Sequence, residues 1–335
     1  MDYKIFELGN CVLQSGATLR DAKLAYKTYG NLSADKSNVI VYPTWYSGQH
    51  YDNEWLIGEG MALDPEKYFI IIPNMLGNGL SSSPSNTPPP YDRARFPNVT
   101  FYDNVKLQHR LVTENFGIEK IALVVGWSMG AGQTYQWAVS YPDMVERIFP
   151  FCGSAKTSLH NFVFLEGVKA ALQADSAWEA GWYKEQPTKG LRAVARVYAG
   201  WGFSQAFYRE KIYIQQGYSS LEDFLVAFWE GFFLRRDANN LLTMLWTWQN
   251  GDIGKTPGFG SNFEQALGAI KAKAIVMPGQ TDLYFPPEDN EYEVKYMPNA
   301  LLRPIPSIWG HFAGGGANPV DTKFIDDSLK ELLAS

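Results

Sequence analysis

Histidine and cysteine are scarce in this chain, four and two among 335 residues. Two thiols, Cys11 and Cys152, are too few for a disulfide framework. Cys152 follows the apolar Ile148–Phe151 and reads as a small buried thiol. The histidines fall in no cluster with Asp at ligand spacing, so no metal site is expected. Basic charge is equally thin. Lys and Arg number 29 against 35 Asp and Glu, for a net charge of −6, and no basic cluster offers a surface to nucleic acid. No apolar run approaches the roughly 20 residues of a membrane span. Met1–Glu7 lacks the charged-then-apolar pattern of a signal peptide, and the expectation is a cytoplasmic protein. Internal repeats are absent. With 46% apolar and 19% charged residues, the chain is long enough for one domain carrying a large insertion, or for two.

The apolar runs that are present alternate with amphipathic segments. Val39–Tyr42, Tyr68–Ile72, Ile121–Val125 and Arg147–Cys152 read as strands, while Asp103–Phe116 and Met129–Tyr141 carry helical spacing. Consecutive apolar positions fit strands covered on both faces, so the expectation is an α/β fold with a mostly parallel sheet flanked by helices. Residues 11–30 read as an antiparallel edge hairpin, and the Ser/Pro-rich Ser81–Pro90 as a surface loop. From about Ala155 to Gly254 no strand pattern appears, and the segment reads as several helices. Residues 178–248 hold 17 aromatics in 71 positions, against 15% aromatic in the whole chain. Helix packing accounts for part of that excess, and an apolar wall over a substrate site for the rest. The βα rhythm resumes at Ala274–Met277 and Leu301–Ile305 and closes with a helix over Asp321–Leu333. The expected domains are therefore a core over 1–154 and 255–335 with an inserted helical cap over 155–254.

Within this frame one junction carries chemistry. Ile121–Val125 runs into Gly126-Trp127-Ser128-Met129-Gly130, a G-x-S-x-G turn, and then into the helical Ala131–Ala138. Two glycines at this spacing permit a sharp strand-to-helix turn that presents the Ser128 hydroxyl at the top of a parallel sheet. A free N–H at the start of the following helix can then stabilise an oxyanion.

A serine hydroxyl needs a base, and the base an anion to orient it. His109 sits inside a helical pattern, His160 has no acidic neighbour at useful spacing, and His50 is kept as a pocket residue in the loop after the first core strand. His311, in Trp309-Gly-His-Phe-Ala-Gly314, follows the last predicted strand, where ligands collect in open α/β sheets. Asp282 lies in a turn just past Ala274–Met277, with a helix expected after Pro287. The order Ser128, Asp282, His311 is the one this fold uses. Met129 would supply one oxyanion N–H. The loop Pro43–His50 would supply the other, from Tyr46, or from Trp45 if the turn is shifted by one residue.

These residues resemble the α/β-hydrolase superfamily and, within it, the homoserine O-acetyltransferase-like family. The likeness runs through Phe96–Asp103 and Gln108, Asn115–Ile121, Pro187–Arg196, Arg236–Leu242 and Asp282–Pro287. It implies a Ser128–Asp282–His311 triad with Tyr46 and Met129 as oxyanion donors. The chain departs from that family at two places. Its elbow reads Gly126-Trp-Ser-Met-Gly-Ala131 where the acetyltransferases have G-G-S-M-G-G. Its oxyanion loop reads Thr44-Trp-Tyr-Ser-Gly48 where they have His-Ala-Leu-Ser/Thr-Gly. Trp45 and Trp127 then bring bulky rings beside the nucleophile and narrow the site. The leading expectation is accordingly a serine hydrolase of a small ester, thioester or amide, working through an acyl-enzyme. The alternative is an acyltransferase moving an acyl group from acyl-CoA, as co-substrate, to a hydroxyl such as that of homoserine. Either way the partner is a small acyl substrate, no cofactor is called for, and the oligomer allowed for is a homodimer.

Overall fold

The computed structural model describes residues 2–335. Eight strands form one sheet: β1 Lys4–Val12, β2 Thr18–Tyr29, β3 Val39–Val41, β4 Phe69–Pro73, β5 Leu123–Trp127, β6 Arg147–Phe151, β7 Lys273–Val276 and β8 Ala300–Leu302. Their order across the sheet is β1-β2-β4-β3-β5-β6-β7-β8. The β1–β2 hairpin is antiparallel and joins β4 antiparallel, whereas β4, β3 and β5 to β8 run parallel. The expected edge hairpin is thus present, with its first strand beginning earlier, at Lys4. The central strands are buried at every position, as their unbroken apolar runs require. Side chains alternate between two cores: Ile40, Ile70, Leu123 and Val125 face one way, and Val39, Val41, Ile71 and Val124 the other.

The main helices are α1 Phe101–Arg110, α2 Met129–Ser140, α3 Leu159–Gln173, α4 Thr188–Gly202, α5 Ala238–Gln249, α6 Pro287–Val294 and α7 Pro319–Ala334. The first begins two residues before the apolar pattern suggested, because Thr100 and Asp103 cap each other reciprocally, and a π turn over Leu111–Asn115 ends it. Helices α3 to α5 lie between β6 and β7 with only shorter helical turns around them, which is the inserted helical block. Among the described residues no helix is long and apolar enough to cross a membrane.

Two expectations are corrected here. Ser81–Pro84 is buried, and only the rest of the Ser81–Pro90 loop is a surface feature. The Ser81 and Ser82 hydroxyls each accept a 2.9 Å bond from the Ala25 and Lys23 amides of β2, so the loop continues the ladder past the end of β4. The last strand stops at Leu302 instead of Ile305, because Pro304 has no N–H to donate. Pairing resumes only at Ile305, which bridges Gly279.

Candidate active site

Ser128, Asp282 and His311 come from loops at the C-terminal ends of β5, β7 and β8, and they meet. His311 Nε2 lies 3.0 Å from Ser128 Oγ, and His311 Nδ1 lies 2.8 Å from Asp282 Oδ2. All three residues are buried. Ser128 sits at φ 58°, ψ −123°, a strained backbone for a residue with a side chain. The turn is possible because of its glycines. A Cβ at Gly126 would stand 2.2 Å from the Gly130 carbonyl oxygen, and one at Gly130 2.8 Å from that of Pro43.

Asp282 is fixed by its neighbours. Its Oδ1 accepts from the Tyr284 and Phe285 amides at 2.8 and 3.1 Å, which leaves Oδ2 for the histidine. A carboxylate there accepts only, so the Nδ1 nitrogen carries the proton and Nε2 is free to take one from the serine. The turn bearing His311 is tied down by Gly310 N–H donating to Thr281 Oγ1 at 3.1 Å. Trp127 does more than fill space. Its indole stacks on the His311 ring at 4.9 Å and 24°, and its Nε1 donates to the His311 carbonyl oxygen at 3.3 Å. It also meets Trp45 edge to face at 4.8 Å. The residue therefore lines the cavity and braces the histidine together. Cys152, buried next to this group, is no competing nucleophile, since burial and the nearby Asp282 push its thiol far above the usual range.

The amides of Met129, Trp45 and Tyr46 were the oxyanion donors expected from the sequence. Among the described residues none of the three donates to another group. A bonded chain that sequence reasoning missed holds the Trp45–Tyr46 loop against α2. Trp137 Nε1 donates to Gln108 Oε1 (2.8 Å), Gln108 Nε2 to Gln133 Oε1 (2.6 Å), and Gln133 Nε2 to the Thr44 carbonyl (2.8 Å). Gln108 and Gln133 are polar residues on the buried faces of helices, and that is the signal by which they could have been found.

A cavity of about 210 Å³ opens beside Ser128 and His311. Trp45, Tyr46 and Trp127 line it from the core, and Tyr198, Trp229, Phe232 and Trp248 from the inserted helices. Asp52 is the one carboxylate in its lining, 3.9 Å from Arg236, with burial raising its pKa. No lysine or arginine lines the cavity. His50 does not belong to it. The ring is buried instead against Asn74, at 3.3 Å, and Asp2, also at 3.3 Å, so its expected pocket role is not met. His109 stacks on Tyr141 at 3.9 Å, and His160 is exposed beside Trp201. Among the described residues no three His, Cys, Asp or Glu side chains converge to hold a metal.

A serine held to a histidine and an aspartate at the sheet's C-terminal edge, in the chain order Ser–Asp–His and after a strand-turn-helix, fits the α/β-hydrolase fold, and the sequence profile of the alpha/beta hydrolase fold matches residues 40–315. The chain belongs to the α/β-hydrolase family. It is similar to an ethyl acetate hydrolase of Pseudomonas veronii, with 43% identity covering 99% of this chain and 96% of that one. A solved acetylester hydrolase from Corynebacterium glutamicum superimposes on this α/β-hydrolase with a TM-score of 0.97, at 40% identity and 99% and 96% coverage. A homoserine O-acetyltransferase of Chlorobaculum parvum is 32% identical over 90% of this chain and 87% of its own. This α/β-hydrolase is therefore an enzyme with homoserine O-acetyltransferase-like relatives, as Phe96–Asp103, Pro187–Arg196 and Asp282–Pro287 implied.

Proposed function

We propose that this enzyme hydrolyses small neutral carboxylic esters through an acyl-enzyme on Ser128. His311 Nε2 takes the Ser128 proton as Oγ attacks the ester carbonyl. The carbonyl oxygen turns into the Met129 and Tyr46 amides, where fixed donors stabilise the new charge without reorganising. Asp282 holds the imidazolium through Nδ1. The tetrahedral intermediate collapses, His311 returns the proton to the leaving alcohol, and the acyl group stays on Oγ. Water then attacks the acyl-enzyme, giving its proton to His311, and the acid leaves with Oγ reprotonated. Every proton and electron pair in the cycle is handled by Ser128, His311 and water, so the reaction as written needs no cofactor.

The observation that carries the substrate class is the cavity: small, walled by aromatic rings and without a cation. A homoserine carboxylate or the phosphates of acyl-CoA would enter it uncompensated, which costs heavily in an apolar site. Trp45 and Trp127 are proposed to shape the acyl pocket, and residues 155–254 to act as a cap excluding bulk water. The similarity to an ethyl acetate hydrolase and an acetylester hydrolase supports the same reading. The test sets ethyl acetate hydrolysis beside acetyl transfer from acetyl-CoA to homoserine with one preparation. Ester hydrolysis with negligible transfer is expected, and efficient acetylation of homoserine would replace this reading by the transferase.

Two further proposals concern the whole molecule. A homodimer is proposed through α3, where Leu159 and Val163 are 86% and 65% exposed. A reducing, cytoplasmic location is proposed, consistent with Cys11 and Cys152 being free and buried.

A further inference from the structure

One carboxylate interrupts the aromatic wall of the cavity. Asp52 lines it together with Trp45, Phe228, Trp229, Phe232 and Phe312. Its Oδ2 accepts from the Gln49 amide at 2.8 Å, closing the capping box of the 3₁₀ turn His50–Leu56. Among the described residues Oδ1 accepts no bond, yet it is not sealed off, and the side chain keeps 23% of its exposure. An unpaired carboxylate oxygen therefore remains open to a partner from outside the chain.

Arg236, the nearest cation, offsets this charge only in part. Its Nη2 lies 3.9 Å from Asp52 Oδ2, too far for a hydrogen bond, and its guanidinium sits over the Phe232 ring, 4.6 Å from the centroid. Arg235 and Arg236 line a separate pocket, with Ser47, Gln49 and Asn240, in which Asp52 takes no part. Asp52 and Arg236 thus form a dipole across the wall, with its negative end to the cavity. Aromatic faces attract a cation through their quadrupole, and Phe232 already does so for Arg236. Trp45 lies nearly parallel to Phe232 at 6.5 Å and meets Trp127, which stacks on His311. Rings therefore run from the Asp52 end to the catalytic base. A cation held at that end would meet both π faces and a carboxylate, and would itself favour the ionised form of Asp52. Among the described residues no lysine or arginine opposes it from the wall.

We propose that Asp52 and the rings of Trp45 and Phe232 form a subsite for an ammonium group. Small esters carrying such a group are then substrates, bound better than neutral esters of the same shape. The proposal rests on the ester-hydrolase reading above and extends it from neutral esters to cationic ones.

Two isosteric pairs with a permanent charge test it. Acetylcholine is set against 3,3-dimethylbutyl acetate for a cation on the alcohol side, and betaine ethyl ester against ethyl 3,3-dimethylbutanoate for one on the acyl side. The kcat/KM ratio of cationic to neutral ester is measured at low ionic strength for the wild type and Asp52→Asn. Comparing ratios between enzymes cancels the intrinsic reactivity of the esters. Asparagine keeps an acceptor for the Gln49 amide, so the turn stays capped. In at least one pair the ratio should fall by about three- to tenfold in the variant. Ratios unchanged or raised in both pairs overturn the proposal, and an equal loss on cationic and neutral esters leaves Asp52 only a cap of its turn. If Asp52→Asn does not fold, Arg236→Met carries the test with the opposite sign: the ratio should rise, and an unchanged or lower ratio overturns the proposal. A wild type that hydrolyses ethyl acetate but neither cationic ester overturns it while the ester-hydrolase reading stands. Failure on every ester sinks both.

Discussion

Glu293, on α6 just beyond the Asp282 loop, should make the fold lose stability as pH rises from mildly acid to neutral. Its carboxylate is buried, and it accepts from Tyr135 Oη at 2.8 Å, Ala155 N at 2.7 Å and Asn290 Nδ2 at 2.7 Å. These bonds tie α6 to α2 and to the first residue of the inserted helical block. Burial nevertheless outweighs the three donors and pushes its pKa from 4.5 up to about 7. An acid whose folded pKa is raised holds its proton in the native state while the unfolded chain has already lost it. Stability therefore falls as pH climbs from about 4.5 to about 7, and is fully reduced above. At about 1.4 kcal/mol per pH unit, the fall is about 3 kcal/mol. Glu293→Gln keeps the shape and cannot titrate. Urea unfolding of both proteins at pH 5, 6, 7 and 8 isolates the effect, since other groups cancel in the difference between them. The wild type should lose about 2.5 kcal/mol relative to Glu293→Gln between pH 5 and pH 8, since the fall begins below pH 5. Parallel stability curves would refute the reasoning and mean that the hydrogen bonds, not burial, govern this carboxyl.

Asp282→Asn should retain the fold but present an N–H or an amide oxygen where the histidine needs an anion, lowering kcat by about 10³- to 10⁴-fold in steady-state assays. Trp127→Gly removes the ring stacked on His311 and should cost about 3–5 kcal/mol in a denaturant titration. In the same variant, turnover of bulkier acyl esters should rise relative to acetates, and an unchanged acyl profile would free Trp127 of any pocket role. Gln133→Ala releases the Thr44 carbonyl and should lower kcat by about tenfold with little change in KM if the loop it anchors supplies the proposed oxyanion donor.

Much of this architecture was legible from period and punctuation. Runs such as Phe69–Ile72 can only be strands covered on both faces, and the change to a strand-free, aromatic-rich segment after Ala155 marks the insertion. The serine, aspartate and histidine could be picked out because the serine follows its strand directly and the other two lie in the loops after β7 and β8, where backbone turns leave side chains free. His50 misled for the same reason: it also follows a core strand. A three-residue strand and a 3₁₀ turn at His50–Leu56 carry its ring off to Asn74 and Asp2, contacts that no local pattern encodes. The bracing chain Trp137–Gln108–Gln133–Thr44 and the pairing of Asp52 with Arg236 were beyond local reading, since each joins residues brought together only by the finished fold. Bulk at Trp127 was visible in the elbow, but its hold on His311 was not, because that depends on how the last loop returns over the sheet.

The central claim, that Ser128 carries the acyl group, is tested most directly by trapping. The wild type and Ser128→Ala are treated with a fluorophosphonate, digested and mapped by mass spectrometry, while ethyl acetate hydrolysis is followed in parallel. A single adduct on the peptide containing Ser128, absent from the variant, with activity reduced at least about a thousandfold in that variant, is the expected result. An adduct on another residue, or a Ser128→Ala protein that still hydrolyses ethyl acetate at the wild-type rate, would contradict the account.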